Sequence, residues 1–240
     1  MPTENGQSLV LRPERLLNMQ KSFLICFTGI DGSGKTSHAR SLIRFLGEKG
    51  FYCEYVWGAW KPFVSYAILG VTRVLGFWKE SKEDAYTDPL EYAPRHVAER
   101  IGFLLGISFL VDLQLRTLFR IRLPMLLGKS IICDRYFYDT VMELIRNGTC
   151  SLKFAYLFSK TLPSPTITFL MDVPETLAVQ RRGFSFKESG SKRAVFSRLG
   201  AAFGLVIVDS SKDFVANQER IRVLALKRIV MKKRSSVKAE

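Results

Sequence analysis

Two kinds of segment alternate along this chain. Short, continuous apolar runs are typical of strands that are buried on both faces of a parallel sheet. They lie at 23–27, 51–57, 130–133, 166–171 and 205–208. Longer segments between them carry apolar residues at helical spacing. This alternation predicts an α/β fold of three layers, with a five-stranded parallel sheet flanked by helices.

Two of the predicted helices are unusually apolar. The segment 63–78 is apolar on nearly every side, so we expect it to be deeply buried or to face a hydrophobic partner. The segment from Val97 to about Leu127 is helical in pattern, and we expect Pro124 to break it. The apolar segment 62–78, which contains Arg73, and the apolar segment 101–111, which ends before Asp112, do not reach the roughly 18 uninterrupted apolar residues of a membrane span. Attachment to a membrane surface stays open.

The domain organisation is simple. No internal repeat or linker is visible, so we predict a single domain over residues 21–230. Residues 1–20 lack a clear period and are expected to form a flexible leader, and residues 231–240 form a basic tail. The first residues do not have the basic, apolar and small-residue pattern of a signal peptide.

The turn after the first predicted strand has a specific pattern. Residues 29–36 read GIDGSGKT, which fits the phosphate-binding loop G-x-x-x-x-G-K-[ST] between a strand and a helix. Its glycines can adopt positive φ, and the N–H groups at the helix start can bind an anion. The predicted nucleotide-binding residues are Gly29, Ile30, Asp31, Gly32, Ser33, Gly34, Lys35, Thr36 and Ser37.

Two side chains of this loop carry the predicted chemistry. Lys35 would reach the β- and γ-phosphates of a nucleotide, and the Thr36 hydroxyl would ligate Mg²⁺. The alternative is a glycine-rich turn with an exposed lysine, which the strand–loop–helix context disfavours. The loop therefore predicts a P-loop NTPase fold.

A second candidate site follows the third strand, at Asp134, Arg135 and Tyr136. In open α/β sheets, ligands bind outside the carboxyl ends of the strands. Asp134 could hold Mg²⁺ through water, and Arg135 could neutralise a transferring phosphoryl group. The alternative is a surface ion pair that closes a turn.

A third candidate is a basic, glycine-containing segment after the fourth strand. Its cations are Arg181, Arg182, Lys187, Lys192, Arg193 and Arg198. Such a segment suits a lid, over about residues 182–193, that closes over phosphates and excludes water. The alternative is a solvated charged surface.

The charge and the cysteine content of the chain limit its possible partners and its cellular compartment. The chain has 36 Lys and Arg against 22 Asp and Glu, a formal net charge of +14. We attribute the excess mainly to phosphate handling and to the tail, and expect no nucleic acid partner, because no nucleic-acid-binding motif is visible. The four cysteines are scattered, which predicts reduced thiols in a cytoplasmic protein. Two histidines in different surroundings argue against a zinc site.

Four pieces of sequence resemble the thymidylate kinase family of nucleoside monophosphate kinases. They are FTGIDGSGKTS at 27–37, ICDRYFYDT at 132–140, FLMDVPETLAVQR at 169–181 and LVIVDSS at 205–211. Their order and spacing extend over about residues 22 to 225. The resemblance implies phosphoryl transfer from ATP with Mg²⁺, on a five-stranded parallel sheet with a lid.

The resemblance also implies roles for single residues. Asp31 would meet the acceptor sugar or the metal, Arg135 would contact the phosphates, and residues 209–211 would lie near the donor adenine. Gly32 stands where some members carry an arginine, so lid cations would supply that charge. The candidates are Arg182, Lys192 and Arg193.

The acceptor side departs from the family. An acidic–arginine–proline–glycine segment is usual after the second strand, whereas residues 55–62 read YVWGAWKP. The acceptor-binding arginine of the family aligns with Leu113, beside a matching Asp112. The residues predicted to contact the acceptor are Asp31, Trp57, Trp60, Lys61, Asp112, Tyr136 and Tyr138, with core packing as the alternative for the tryptophans.

The leading hypothesis is therefore an ATP-dependent kinase whose acceptor is a small molecule, dTMP or a related nucleoside monophosphate. A sugar or lipid acceptor stays open, as does a homodimer. A hypothesis of another class is a non-catalytic nucleotide-binding protein that docks on a membrane or nucleic acid through its basic tail.

Overall fold

Five parallel strands form the centre of the molecule in the computed structural model, which describes residues 22–58, 63–75, 95–146, 148, 150–182 and 189–237. The strands are β1 (Leu24–Thr28), β2 (Cys53–Trp57), β3 (Ser130–Asp134), β4 (Ile167–Asp172) and β5 (Val206–Asp209). They are arranged in the order β2-β3-β1-β4-β5, and every neighbouring pair is parallel. The predicted five-stranded parallel sheet is confirmed.

Helices cover both faces of the sheet. They are α1 (Lys35–Glu48), α2 (Val64–Val74), α3 (Arg95–Thr117), a π-helical turn (Leu118–Arg122), α4 (Leu123–Leu126), α5 (Phe137–Arg146), α6 (Leu152–Ser159), α7 (Glu175–Arg182), α8 (Ser189–Phe203) and α9 (Phe214–Val237). Residues of α1 and α9 pack in one core cluster, and residues of α3, α5, α6, α7 and α8 pack in another. The two clusters confirm a three-layer α/β fold.

β1 is the most deeply enclosed strand. All five of its residues are buried, as expected for a strand with a neighbour on each side and helices on both faces. Ile25 and Phe27 pack with α1 and α9, whereas Leu24 and Cys26 pack with the opposite layer. The chain crosses from one half of the sheet to the other beside β1, so a crevice opens at its carboxyl end.

The four cysteines are free thiols, as the sequence predicts. Cys26 and Cys133 are buried opposite each other on β1 and β3. Burial raises the pKa of the Cys26 thiol well above its ordinary value, so this side chain behaves as a small hydrophobe.

Two helix boundaries differ from the sequence-based expectation. Pro124 does not break the helical segment: the wide turn Leu118–Arg122 precedes it, and Pro124 lies in the first turn of α4, where a missing N–H costs little. α8 begins at Ser189, inside the segment predicted as a lid over about residues 182–193. Serine and glycine favour helix N-termini as well as loops, which is why the pattern was misleading.

Deep burial of the apolar segment 63–78 is wrong for the part that the structure describes. Ser65 is buried, but Phe63, Tyr66, Val71 and Val74 are 84%, 44%, 57% and 87% exposed. α2 packs mainly against α3, so one side of the helix is left uncovered within the described residues. The alternative, a hydrophobic partner, stays a prediction.

Within the described residues, none of the helices combines the length and apolar character needed to cross a bilayer. The leader at 1–20 and residues 238–240 of the basic tail lie outside the described part of the chain, as do most of the predicted lid residues, 183–188. The division of the chain into these segments stays a prediction.

Candidate active site

The loop between β1 and α1 is tightly folded around its glycines. Gly29, Gly32 and Gly34 have φ of 137°, 83° and 83°, which other residues adopt only with strain. A Cβ atom on Gly29 would overlap the carbonyl oxygen of Met171, and one on Gly32 would lie 2.6 Å from the carbonyl oxygen of Ala178. The loop backbone therefore packs closely against the end of β4 and against α7, and a side chain at either glycine would prevent this.

Lys35 is buried inside this loop, with 5% of its surface exposed. Its Nζ donates to the carbonyl oxygens of Gly29 at 2.8 Å and Ile30 at 2.6 Å, and lies 4.0 Å from a carboxylate oxygen of Asp31. The ammonium group is thus held within the loop by its carbonyl oxygens, and its charge adds to the partial positive charge of the α1 N-terminus.

The predicted metal ligands Thr36 and Asp134 are in direct contact. Thr36 Oγ1 donates to Asp134 Oδ2 at 2.6 Å, across the junction of α1 and β3. Asp134 is 1% exposed, and its Oδ1 has no hydrogen-bond partner among the described residues. A buried carboxylate oxygen without a donor beside a hydroxyl suits Mg²⁺, which prefers oxygen ligands.

Arg135 forms an ion pair with Asp31. It is the residue with positive φ (70°) among the described non-glycine residues, and this conformation turns the chain sharply after β3. Asp31 therefore lies between the Lys35 ammonium and the Arg135 guanidinium, and the loop and the Asp134–Tyr136 corner meet as the sequence predicts.

Asp139 is a buried carboxylate that the sequence analysis missed. Its Oδ2 accepts hydrogen bonds from Thr28 Oγ1 at 2.7 Å and from the backbone N–H of Tyr136 at 3.1 Å, and its Oδ1 lies 3.7 Å from an Arg135 nitrogen. Burial raises its pKa, and the charges of Arg135 and Lys35 oppose that shift. An acidic residue in the first turn of a helix is a signal that could have drawn attention to it.

A cavity of about 420 Å³ opens beside the loop. Its lining includes Gly32, Ser33, Gly34, Lys35, Thr36, Ser37, His38, Trp57, Arg135, Arg181, Ser210, Lys212 and Phe214. Ser210 lies in the segment 209–211 that the resemblance assigns to the adenine end of the donor. The cavity joins the loop, the end of β2 and the segment after β5.

Of the basic segment, Arg181 reaches the phosphate loop. Its guanidinium donates to the carbonyl oxygens of Gly32 at 3.4 Å and Ser210 at 3.1 Å. Lys192 and Arg193 instead lie on α8, where they pair with Glu143 at 3.0 Å and with Asp172 at 2.7 Å. Arg182 ends α7, and its side chain lies outside the described part. Arg181 was noted in the sequence but not singled out as a site residue.

The aromatic residues and the lysine predicted to contact the acceptor lie in different surroundings. Trp57 is 59% exposed at the cavity, while Trp60 and Lys61 lie outside the described residues. Tyr136 and Tyr138 are 4% and 6% exposed, and both belong to the core cluster beneath the site. The Tyr136 hydroxyl donates to the carbonyl of Pro163 at 2.9 Å.

Asp112 caps the N-terminus of α2. Its carboxylate accepts hydrogen bonds from the backbone N–H groups of Phe63, Val64 and Ser65 at 3.3, 2.9 and 2.9 Å, and from the Ser65 hydroxyl at 2.8 Å. The side chain is 2% exposed, so these bonds occupy it fully. The structure thus gives Asp112 a capping contact, and its role in acceptor binding stays a prediction.

Arg116 was also missed. From α3 it donates to the carbonyl oxygens of Trp57 and, at 2.6 Å, Gly58. Burial lowers its pKa from the ordinary value. The guanidinium therefore fixes the end of β2, where the backbone N–H of Gly58 donates to the carbonyl of Asp134.

Two known proteins that match this chain over most of its length share one name. A protein of Staphylothermus marinus named "Probable thymidylate kinase" is 31% identical over 166 residues, which cover 69% of this chain and 71% of the relative. Another of that name from Archaeoglobus fulgidus is 22% identical over 220 residues, covering 89% of this chain and 100% of the relative.

A shorter match involves a different kinase. An adenylyl-sulfate kinase of Halothermothrix orenii is 38% identical over 65 residues, covering 27% of this chain and 32% of the relative. No family model matches the chain.

A parallel sheet with a phosphate-binding loop after its central strand, and an aspartate at the end of the neighbouring strand, is typical of P-loop NTPases. The relatives that extend over two thirds of the chain or more narrow this class further. The chain belongs to the thymidylate kinase family.

The capping role of Asp112 can be measured. Asp112→Ala removes the acceptor of three backbone N–H groups and a buried hydroxyl, so we expect the free energy of unfolding to fall by about 1–3 kcal/mol. Urea titration gives this value, and amide exchange should speed up at residues 63–65. Asp112→Asn, which keeps one acceptor oxygen, should lose less. Unchanged stability combined with a raised acceptor KM would instead assign Asp112 to acceptor binding.

His38 gives a pH-dependent prediction. It is 3% exposed and stacks on Phe214 with ring centroids 4.4 Å apart, and its Nδ1 is hydrogen-bonded to the Gln218 amide. Burial and the charge of Arg181 lower its pKa from 6.5 to about 4. The unfolded chain therefore binds the proton first, and stability should fall as pH drops from 6.5 towards 4.

The expected loss is at most roughly 3 kcal/mol at the acid end. It is measured as the difference in unfolding free energy between the wild-type protein and His38→Gln, at pH 7 and at steps down to pH 4. His38→Gln should have the flatter profile in this range. Parallel profiles for the two proteins would contradict the account of His38.

Proposed function

We propose that this protein is an ATP-dependent kinase that moves the γ-phosphoryl group of ATP to a nucleoside monophosphate, dTMP or a related molecule. The observation that carries the proposal is the contact between Thr36 and Asp134 beside the buried Lys35. The hydroxyl and the carboxylate are in contact, and the Lys35 ammonium is held by carbonyl oxygens of the same loop. Oxygen ligands for Mg²⁺ and a cation for the phosphates are the groups that phosphoryl transfer from a metal-bound nucleotide uses.

The proposed donor site is cationic where a polyphosphate would lie. The N–H groups at the start of α1, the Lys35 ammonium and the Arg135 and Arg181 guanidinium groups all border the same cavity. Polyphosphate oxygens would compete with the carbonyls of Gly29 and Ile30 for Lys35. During transfer, an oxygen of the acceptor forms a bond to the γ-phosphorus. The bond between the γ-phosphorus and the β–γ bridging oxygen breaks at the same time, and ADP leaves with the electron pair of the broken bond.

Thr36 and Asp134 would hold Mg²⁺, Thr36 directly and Asp134 through water. When bound, the ion neutralises charge on the β- and γ-phosphates. The chain itself contributes orientation. Asp31 forms an ion pair with Arg135, and a carboxylate oxygen of Asp139 lies 3.7 Å from an Arg135 nitrogen. These two carboxylates hold the guanidinium beside the phosphate loop, where the γ-phosphate would be transferred.

The acceptor end of the proposed site is bordered by the exposed face of Trp57. An aromatic face can stack on a nucleobase. We place the acceptor there, with Asp31 and Lys61 as its proposed polar contacts. We also propose that Arg182 or Arg193 closes on the phosphates in a lid movement.

The four free thiols suit a reducing compartment, so we propose a cytoplasmic protein. A homodimer and contact with a membrane surface stay predictions.

A kinase with a sugar or lipid acceptor is the second candidate. It is favoured by two observations: Leu113, which aligns with the family's acceptor arginine, is buried in the core, and α2 exposes a large apolar surface. An acceptor screen separates the two. We expect ADP release with nucleoside monophosphates. Release that depends only on nucleosides, sugars or polyprenols would favour the second candidate.

Lys35 provides the sharpest test of the proposed chemistry. Lys35→Ala removes the buried ammonium group, so acceptor-dependent ADP release should fall by about 10²–10³-fold in kcat. Lys49→Ala is the matched control, because Lys49 is exposed at the other end of the same helix and should leave the rate unchanged. Turnover that survives Lys35→Ala would exclude the role proposed for this loop.

A further inference from the structure

Tyr55 lies at the centre of β2 and faces the layer formed by α1 and α9. It packs, half-buried, against the same core cluster as Ala39 and Leu42 of α1. β2 is the edge strand of the sheet, next to β3. The phenol ring therefore extends from the edge of the sheet towards the start of α1, and the Arg40 guanidinium lies 5.8 Å from its centroid.

The Tyr55 hydroxyl reaches the Asp134 carboxylate. It donates to Oδ2 at 2.8 Å, the same oxygen that accepts from Thr36 Oγ1 at 2.6 Å. Oδ1 of this carboxylate is buried and accepts no hydrogen bond within the described part of the chain. One oxygen thus accepts hydrogen bonds from two sides, while the other is left without a donor among the described residues.

Two donors on one oxygen restrict rotation of the carboxylate about its terminal torsion. With Thr36 alone, the plane of the carboxylate could turn over a broad range and still accept that hydrogen bond. The phenol donates from a second direction, so the plane is held where one oxygen meets both donors and the other oxygen points away from them. A tyrosine hydroxyl is protonated at neutral pH and can therefore donate this hydrogen bond.

We propose that Tyr55 is a positioning residue for the divalent cation of this site: its hydroxyl holds Asp134 Oδ2, so that Oδ1 faces the cation and its bound water. The inference rests on the proposed function, because it requires a cation bound with a nucleotide. Hydrogen bonds that orient metal-ligating carboxylates typically change metal affinity by about 10–100-fold.

β2 is linked to Asp134 in two further ways. Trp57 is the register partner of Asp134, and the backbone N–H of Gly58 donates to the Asp134 carbonyl. The strand that leads to the proposed acceptor side therefore also holds the metal carboxylate. Through Tyr55, β2 would affect how the cation is bound. The sequence does not suggest this link, because Tyr55 lies 79 residues before Asp134.

The test compares Tyr55→Phe with Tyr52→Phe, which removes a hydroxyl from a tyrosine three residues away that is 67% exposed. Binding of a non-hydrolysable ATP analogue is followed by calorimetry at increasing Mg²⁺, and binding of ADP is followed in EDTA. For Tyr55→Phe, we expect the Mg²⁺ concentration for half-maximal tightening to rise about 10–100-fold, with ADP binding in EDTA unchanged. Tyr52→Phe should match the wild-type protein in both.

The possible outcomes separate the two proposals. If Tyr55→Phe requires the same Mg²⁺ concentration as the wild-type protein, the positioning role is wrong while the proposed function stands. If ADP binding in EDTA weakens together with the Mg²⁺ response, Tyr55 supports the loop as a whole and the inference is overturned. If the wild-type protein binds no nucleotide with or without Mg²⁺, both proposals are overturned. Tyr55→His, which keeps a ring and an N–H donor, should recover part of the Mg²⁺ response.

Discussion

A single carboxylate oxygen joins three separate parts of this chain. Asp134 Oδ2, at the end of β3, accepts hydrogen bonds from Thr36 at the start of α1 and from Tyr55 on β2. Because the carboxylate is buried, leaving it without donors would cost several kcal/mol. The hydrogen bonds to the Asp134 carboxylate therefore help to fix the position of the phosphate loop relative to β2 and β3.

The charges around the loop balance one another. The Lys35 ammonium and the Arg135 guanidinium flank Asp31, and the buried Asp139 lies behind Arg135. Arg181 closes the other side of the loop through backbone carbonyls. Cations held in fixed positions next to a helix N-terminus need little rearrangement to receive a polyanion, which is the condition under which electrostatic stabilisation is most effective.

The sequence predicted what depends on local pattern. The strand–loop–helix unit at 23–48 and the Asp134–Arg135 corner could be placed because glycine spacing and buried apolar runs are read over a few residues, and because parallel strands bring their carboxyl ends to one edge. Contacts across the sheet could not be placed in this way. Nothing near Tyr55 in the sequence indicates a partner at Asp134, and Arg181 and Arg193 look alike until the helices that carry them are positioned.

Because a local pattern does not show contacts between distant residues, the burial of the described part of the apolar segment 63–78 was predicted wrongly. Composition cannot tell an apolar helix that is enclosed from one that leaves a side uncovered, as α2 does within the described residues. Asp112 is predicted to contact the acceptor because it matches the family, and the sequence does not show that its carboxylate also accepts the backbone N–H groups at the start of α2. Aligned residues share a place in the fold, but their contacts depend on the neighbours that each chain supplies.

The most direct test of the central claim is the mapping of amide chemical shifts as ADP is added to the protein. If a polyphosphate binds in the bend between β1 and α1, the largest changes should occur at the N–H groups of residues 32–36, followed by Arg135 and Ser210 at the borders of the same cavity. Changes concentrated elsewhere, with the amides of residues 32–36 unmoved at saturating ADP, would contradict the account.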